Sequence, residues 1–123
     1  MITKKISDHV VKMTPTCGEV RGILNRNDYE GVNIAIAIDI RKTIPHFHRG
    51  FDEIYFILDG ELELKFHDPE TGKTWIESLK ANELCVIRKG VHHAVVNASE
   101  RNRLSVVTVP YFDVSDETPS EVI

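Results

Sequence analysis

Apolar and polar positions alternate along most of this chain, and helical periodicity is scarce. In residues 32–41, Val32, Ile34, Ile36, Ile38 and Ile40 are all β-branched, while Asn33, Ala35, Ala37, Asp39 and Arg41 are small or polar. A period of two with this composition predicts a strand with one buried face, the isoleucine face. Residues 53–58 run into Asp59-Gly60 and out through residues 61–67, where Leu62, Leu64 and Phe66 mark one side. Asp-Gly is a strong two-residue hairpin signal, because both central residues need positive φ. In that register Leu58 faces Glu61, Tyr55 faces Leu64 and Glu53 faces Phe66. Cross-strand partners share a face, so Glu53 is expected to point inward with Tyr55 and Ile57.

Asp68-Pro-Glu-Thr-Gly72 reads as a second turn, and Lys89-Gly90 as another break. Further strands are expected at 75–79, 84–87, 94–97 and 104–109, with a polar loop over 97–103. Strands this short, with this many turns, predict an all-β fold, an antiparallel sandwich or barrel. Near the N-terminus Asp8 is placed to cap a short helix through Met13, limited by Pro15. Residues 113–123 form an acidic tail with Pro119, expected to be disordered or to pack on a partner.

A chain of 123 residues suggests a single domain spanning 1–123. Its net charge of -4 argues against a nucleic-acid partner, which calls for a basic excess. No apolar run approaches the ~20 residues of a membrane helix, so no membrane partner is expected. The opening residues Met1-Ile2-Thr3-Lys4-Lys5 lack the apolar stretch of a secretory signal, and the expected location is cytoplasmic. Two cysteines, Cys17 and Cys85, are too few for a disulfide framework.

The chemistry lies in two clusters. His46 and His48 are one residue apart in an extended segment, so both imidazoles can reach one point. Gly50 supports a turn back to Glu53. A lone inward carboxylate costs several kcal/mol unless paired or bound to a cation. Two neutral imidazoles and a carboxylate would meet that need by holding a divalent metal. The alternative is a Glu53 paired with a buried Arg or bonded to Tyr, with the histidines merely packed. The second cluster is Gly90-Val91-His92-His93, followed by Asn97.

Together these residues resemble the two-part signature of the cupin family. In the first part His46, His48, Glu53 and Gly60 fall at the family's spacing. In the second, Gly90, His93 and Asn97 match in register, and His93 rather than His92 takes the third histidine position. The departures are Ile40, Asn82 and Arg88, where the family has glycine, glycine and proline. Asn tolerates positive φ, so Asn82 can keep the turn, and no departure removes a ligand. The resemblance covers about residues 30–112 and implies a double-stranded β-helix, the cupin or jelly-roll barrel, often dimeric, so a homodimer is expected. It also implies metal ligation by His46, His48, Glu53 and His93, with one or two positions left for water or substrate. Such a donor set suits one divalent transition metal, Zn, Ni, Mn, Fe or Co.

Other residues carry weaker expectations. Tyr55 shares the strand face of Glu53 and is a candidate proton donor, or packing. His92 is a candidate acid–base residue, or a rim residue pointing away from the third ligand. Arg88 is a candidate for holding an anionic substrate, or a solvated cation. The expected function is a metal acting as Lewis acid on a small polar molecule, a sugar or organic acid, with isomerase or lyase chemistry ahead of Fe(II) dioxygenation. Non-catalytic, metal-dependent binding or sensing of a small ligand is the other class. A titratable group beside the open metal positions favours catalysis, and a purely apolar lining favours binding.

Overall fold

The computed structural model describes residues 1–5, 11–14 and 18–123. Its strands are β1 (Val11–Thr14), β2 (Gly18–Leu24), β3 (Asn33–Ile38), β4 (His46–Phe47), β5 (Asp52–Asp59) and β6 (Glu61–Asp68), followed by β7 (Lys73–Lys80), β8 (Leu84–Ile87), β9 (His92–Ala98), β10 (Arg103–Val109) and β11 (Thr118–Pro119). They form a six-stranded antiparallel sheet, β1-β2-β3-β10-β5-β8, and a five-stranded one, β11-β4-β9-β6-β7. The core between them includes Ala37, Tyr55, Ile57, Leu64, Phe66 and Leu104. No helix among the described residues is long and apolar enough to cross a membrane.

Asp59-Gly60 is a corner, not a hairpin. β5 pairs with β10 and β8 in one sheet, whereas β6 pairs with β9 and β7 in the other. Gly60 has φ +81, but Asp59 is not in the positive-φ region, so the turn the hairpin needs is absent. A Cβ at Gly60 would press on the Arg101 carbonyl and the Ser99 hydroxyl, so the corner is tight as well as left-handed. Glu53 nevertheless faces inward. Alternation along β5 buries Glu53, Tyr55 and Ile57, while alternation along β6 independently buries Leu62, Leu64 and Phe66. The real hairpin is β6–β7, closed through Asp68-Pro-Glu-Thr-Gly72 with Glu61 opposite Lys80.

The isoleucine face of β3 is likewise reversed. Ala35 and Ala37 pair with Val106 and Leu104, which pair in turn with Tyr55 and Ile57 on the inner side. Ala37 is wholly buried in the core. The small residues leave room between the sheets for the large side chains of β5 and β6, while Ile34, Ile36 and Ile38 lie on the other face of β3, Ile36 still buried there and Ile34 and Ile38 half-buried. Both faces of β3 are apolar enough for burial, so periodicity alone could not say which is the inner one.

Two further expectations change. Val11–Met13 lies in a strand rather than a helix, paired antiparallel with β2; Asp8 and Pro15 are outside the described residues. Residues 113–123 are ordered and pack against their own chain. Thr118 and Pro119 pair with Phe47 and His46, and Ser120 N–H donates to the Pro45 carbonyl at 2.9 Å. Asn82 has φ +70 and takes the turn expected of it, with its N–H donating to the Ile57 carbonyl at 2.8 Å.

Candidate metal centre

His46 lies on β4 and His48 two residues on, so both rings project to one side. β4 pairs with β9 through His46 opposite His93, which sets the third imidazole beside the first. Glu53 comes from the facing sheet, paired with Thr108 on β10 and Ile87 on β8. None of the four is more than 3% exposed. The ring centroids are 4.4 Å apart for His46–His93, 4.9 Å for His46–His48 and 5.5 Å for His48–His93.

Each imidazole is held by its back nitrogen. Nδ1 of His46 is 2.8 Å from the Ile44 carbonyl, Nδ1 of His93 is 3.0 Å from that of Val91, and Nδ1 of His48 is 2.6 Å from that of Asp116. A carbonyl only accepts, so Nδ1–H donates in all three rings. That fixes the tautomer with the lone pair on Nε2, the arrangement that orients a metal-ligating histidine.

The front atoms are then left over. Five buried side-chain polar atoms among the described residues have no hydrogen-bond partner: Nε2 of His46, His48 and His93, Oε2 of Glu53, and Nε of Arg21. Four of these belong to one cluster whose ligand atoms lie within 4.8 Å of one another. Donors about 2.1 Å from a shared ion lie within about 4.2 Å of each other, so a shift of tenths of an ångström closes the ring. Buried polar atoms are rarely orphaned, and four aimed together fit a divalent cation. His48 Nε2 already lies 2.5 Å from Glu53 Oε1, although with its proton on Nδ1 it makes no aligned hydrogen bond there.

The electrostatics agree with a site built for positive charge. Burial raises the Glu53 carboxyl, but the three histidines outweigh it and hold the group below the ordinary value. For His48, burial disfavours the imidazolium, yet the adjoining Glu53 carboxylate prevails and the pKa rises. Burial pushes His93 down to about 4. Between pH 6.5 and 4 an unfolded chain therefore takes up a proton that folded His93 refuses, and stability falls with pH. The His48 contribution is fully present below pH 6.5, and that of Glu53 is lost only as pH drops below its unfolded value, so His93 leads in this window, joined by His92, whose imidazolium is also disfavoured by burial and by the neighbouring His67. Metal-free protein should lose roughly 3 kcal/mol across it, seen as a falling urea midpoint. His93→Asn should flatten that dependence; a wild-type midpoint constant from pH 6.5 to 4.5 would contradict the buried neutral ring.

The structure brings His46, His48, Glu53 and His93 together. Tyr55 lies beside them, buried, its ring centroid 6.2 Å from that of His93. Arg88 is exposed and lines a cavity of about 500 Å³ between the edges of β7 and β8. Phe66 and Ile87 also line it, and they are the cross-strand neighbours of His93 and Glu53. His92 lies on the opposite face of β9, away from the ligands. Its ring stacks on Phe47 at 4.2 Å, and its Nδ1 is 2.7 Å from the Ser120 hydroxyl. Cys85 is a free thiol raised by burial to about 12, which makes it inert; Cys17 is outside the described residues.

The sequence reading missed Asp116. Its carboxylate accepts from the Arg49 N–H at 2.9 Å and the Gly50 N–H at 2.6 Å, while its carbonyl steadies His48. Phe51 stacks on His48 at 4.4 Å, and Phe112 packs against both rings. The tail thus walls the centre, a role its acidic composition does not signal.

Comparison with known proteins agrees with this geometry. Residues 39–110 match the family model described as the cupin domain. No curated protein sequence matches the chain. Among solved structures, oxalate decarboxylase from Bacillus subtilis at pH 4.6 superposes with a TM-score of 0.78 at 15% identity, over 93% of this chain and 30% of that one. A substituted form of that enzyme gives 0.79 at 16% identity, covering 94% and 31%. A structure concerned with the Mn(II) centres of the same enzyme gives 0.77 at 15%, covering 93% and 31%. This chain therefore spans about a third of those enzymes' length, and at such identity the likeness shows the fold. With that fold, the match over residues 39–110 and a buried His/His/Glu/His cluster of the kind that can hold a metal, the chain belongs to the cupin family.

Proposed function

We propose that this protein is a metal-dependent enzyme that binds a small oxygen-bearing molecule at the His46/His48/Glu53/His93 centre and performs non-redox, isomerase- or lyase-type chemistry on it. A divalent transition metal held there supplies Lewis-acid polarisation of a bound carbonyl, hydroxyl or carboxylate oxygen. The observation that carries the reading is Tyr55. Among the described residues it is the one fully buried ionisable side chain besides the four ligands, and it stands next to them. Phe51 and Phe112 pack against His48, Phe66 stands opposite His93 on β6, and Tyr55 brings a phenol that can hold or deliver a proton. The chains of the same fold are named oxalate decarboxylase, an activity on a small carboxylate, and that supports the choice of ligand class.

The test is anaerobic loading with Mn(II), then titration with oxalate and other small organic acids, followed by EPR and product analysis. One Mn(II) per chain, an EPR change on adding acid and turnover without oxygen uptake are expected. Tyr55→Phe should lower turnover about 100-fold or more while leaving acid affinity within about twofold. Oxygen consumption with Fe(II) would move the protein to dioxygenation. The apolar neighbours of the ligands favour a second reading, a metal-dependent binder, which tight acid binding without any product would establish.

A further inference from the structure

We propose that the cavity between the edges of β7 and β8 receives the far end of the ligand, and that this end is a protonated amine held by Trp75 and Glu77. With the oxygen-bearing end at the metal centre, as in the function proposed above on which this rests, the ligand is an amino acid whose amine is remote from its carboxylate. The cavity, of about 500 Å³, adjoins the centre directly. Its wall includes Phe66, Ile87 and Cys85, the cross-strand neighbours of His93, Glu53 and Tyr55. A volume of this order takes a molecule with a body of its own, well beyond a two-carbon acid.

Register decides which charge faces the ligand. Trp75 and Glu77 stand opposite Phe66 and Leu64, so both belong to the inner face of β7. The Trp75 ring packs on Phe66, centroids 5.5 Å apart, and is still 38% exposed in the cavity. Glu77 is exposed there too and makes no hydrogen bond or ion pair among the described residues. Its charge faces across the gap, where it is one of the groups that raise the Cys85 thiol. Asp68 is engaged in its turn, Oδ1 accepting from the Glu70 N–H at 2.9 Å. Arg88 follows Ile87 on the side of Leu84 and Val86, the outward alternation. A free carboxylate beside an indole, at the mouth of an apolar cavity, suits an ammonium group by charge-assisted hydrogen bonding and cation–π attraction together. Two strand spacings of about 4.8 Å and one same-face step of about 6.7 Å part His93 from Glu77, about 12 Å in all. One aromatic ring with a charged group at each end matches that length.

Trp75 is the only tryptophan of the chain, so its emission reports on the cavity. Titrations of the Mn(II)-loaded protein with 4-(aminomethyl)benzoate and with 4-methylbenzoate, of similar shape but without the amine, measure the preference. The amino acid should bind at least about tenfold more tightly. Glu77→Gln alters an exposed side chain, so it should fold, shown by an unchanged circular dichroism spectrum, and should cut the preference to less than about threefold. Arg88→Ala should keep the preference. Benzylamine should also bind the metal-free protein, and at least about fivefold more weakly after Glu77→Gln. Equal affinity for the two benzoates overturns the proposal, as does loss of the preference in Arg88→Ala alone. So does a preference undiminished by Glu77→Gln, which would make Glu77 only a guard of the β7 edge against other strands. Failure of the proposed function looks different: benzylamine still binds through Glu77, while both benzoates bind equally well with and without Mn(II), which keeps the amine subsite and removes the metal from ligand binding.

Discussion

His48→Ala should lower the affinity of the protein for a divalent metal by at least about 100-fold, whereas His67→Ala should leave it unchanged. Loss of a partner behind a ligand already costs about 10- to 100-fold, and loss of the ligand costs more. His48 is the stringent choice because three elements meet on it: β4 brings the ring, the tail carbonyl fixes its tautomer, and Glu53 from the other sheet lies against its Nε2. His67 has the same chemistry but lies on the outer face, its Nδ1 2.8 Å from the Thr74 hydroxyl. Competition against a chromophoric chelator at pH 7.5 reads both affinities. Equal retention by the two variants would remove the centre from the protein. Because the imidazoles bind as neutral ligands, wild-type affinity should also fall as protons compete below about pH 6.5.

Asn102→Ala should be among the most destabilising single changes, costing about 3–5 kcal/mol of an expected 5–15 kcal/mol. The side chain is 1% exposed. Its amide donates to the carbonyls of Ile40 and Ser99, each at 3.0 Å, and its Oδ1 accepts from the Ile40 N–H at 3.0 Å. Truncation strands all three main-chain groups, and the Ile40 pair is buried. Its own backbone bonds, from the Asp39 N–H at 2.7 Å and to the Asp39 carboxylate at 3.2 Å, remain but lose their anchor. Urea denaturation should show a lower midpoint at unchanged slope, with Asn97→Ala, at an exposed site, as the near-neutral control. Equal midpoints for the two variants would mean that the loop is held elsewhere.

The sequence made the clustering of His46, His48, Glu53 and His93 legible because their types and spacing leave little freedom in where they can point. Two histidines at i and i+2 must share a strand face, and a carboxylate between Tyr55 and the turn must face the core or waste the alternation. The strands of β5 to β10 were readable for the same reason, since their inner faces carry unmistakable side chains. The errors came where two physical signals pointed the same way or none pointed at all. Asp-Gly closes hairpins and also turns corners, and only the partners of β5 decide between them. The isoleucines of β3 look like a core because the residues that do enter it, Ala35 and Ala37, are small. Asn102 and Asp116 look like ordinary loop polarity, because a carbonyl or amide used for anchoring leaves no periodicity. Their roles depend on residues far along the chain, which a local reading does not see.

That remoteness has a temporal consequence. The main-chain oxygen that orients the His48 ring is 68 residues downstream of it. While the polypeptide emerges from the ribosome, the first two imidazoles and the glutamate are outside long before their anchor is. The nascent chain can offer loose donors but no finished cage, so any tight capture of an ion there would have to wait until the final strand has docked.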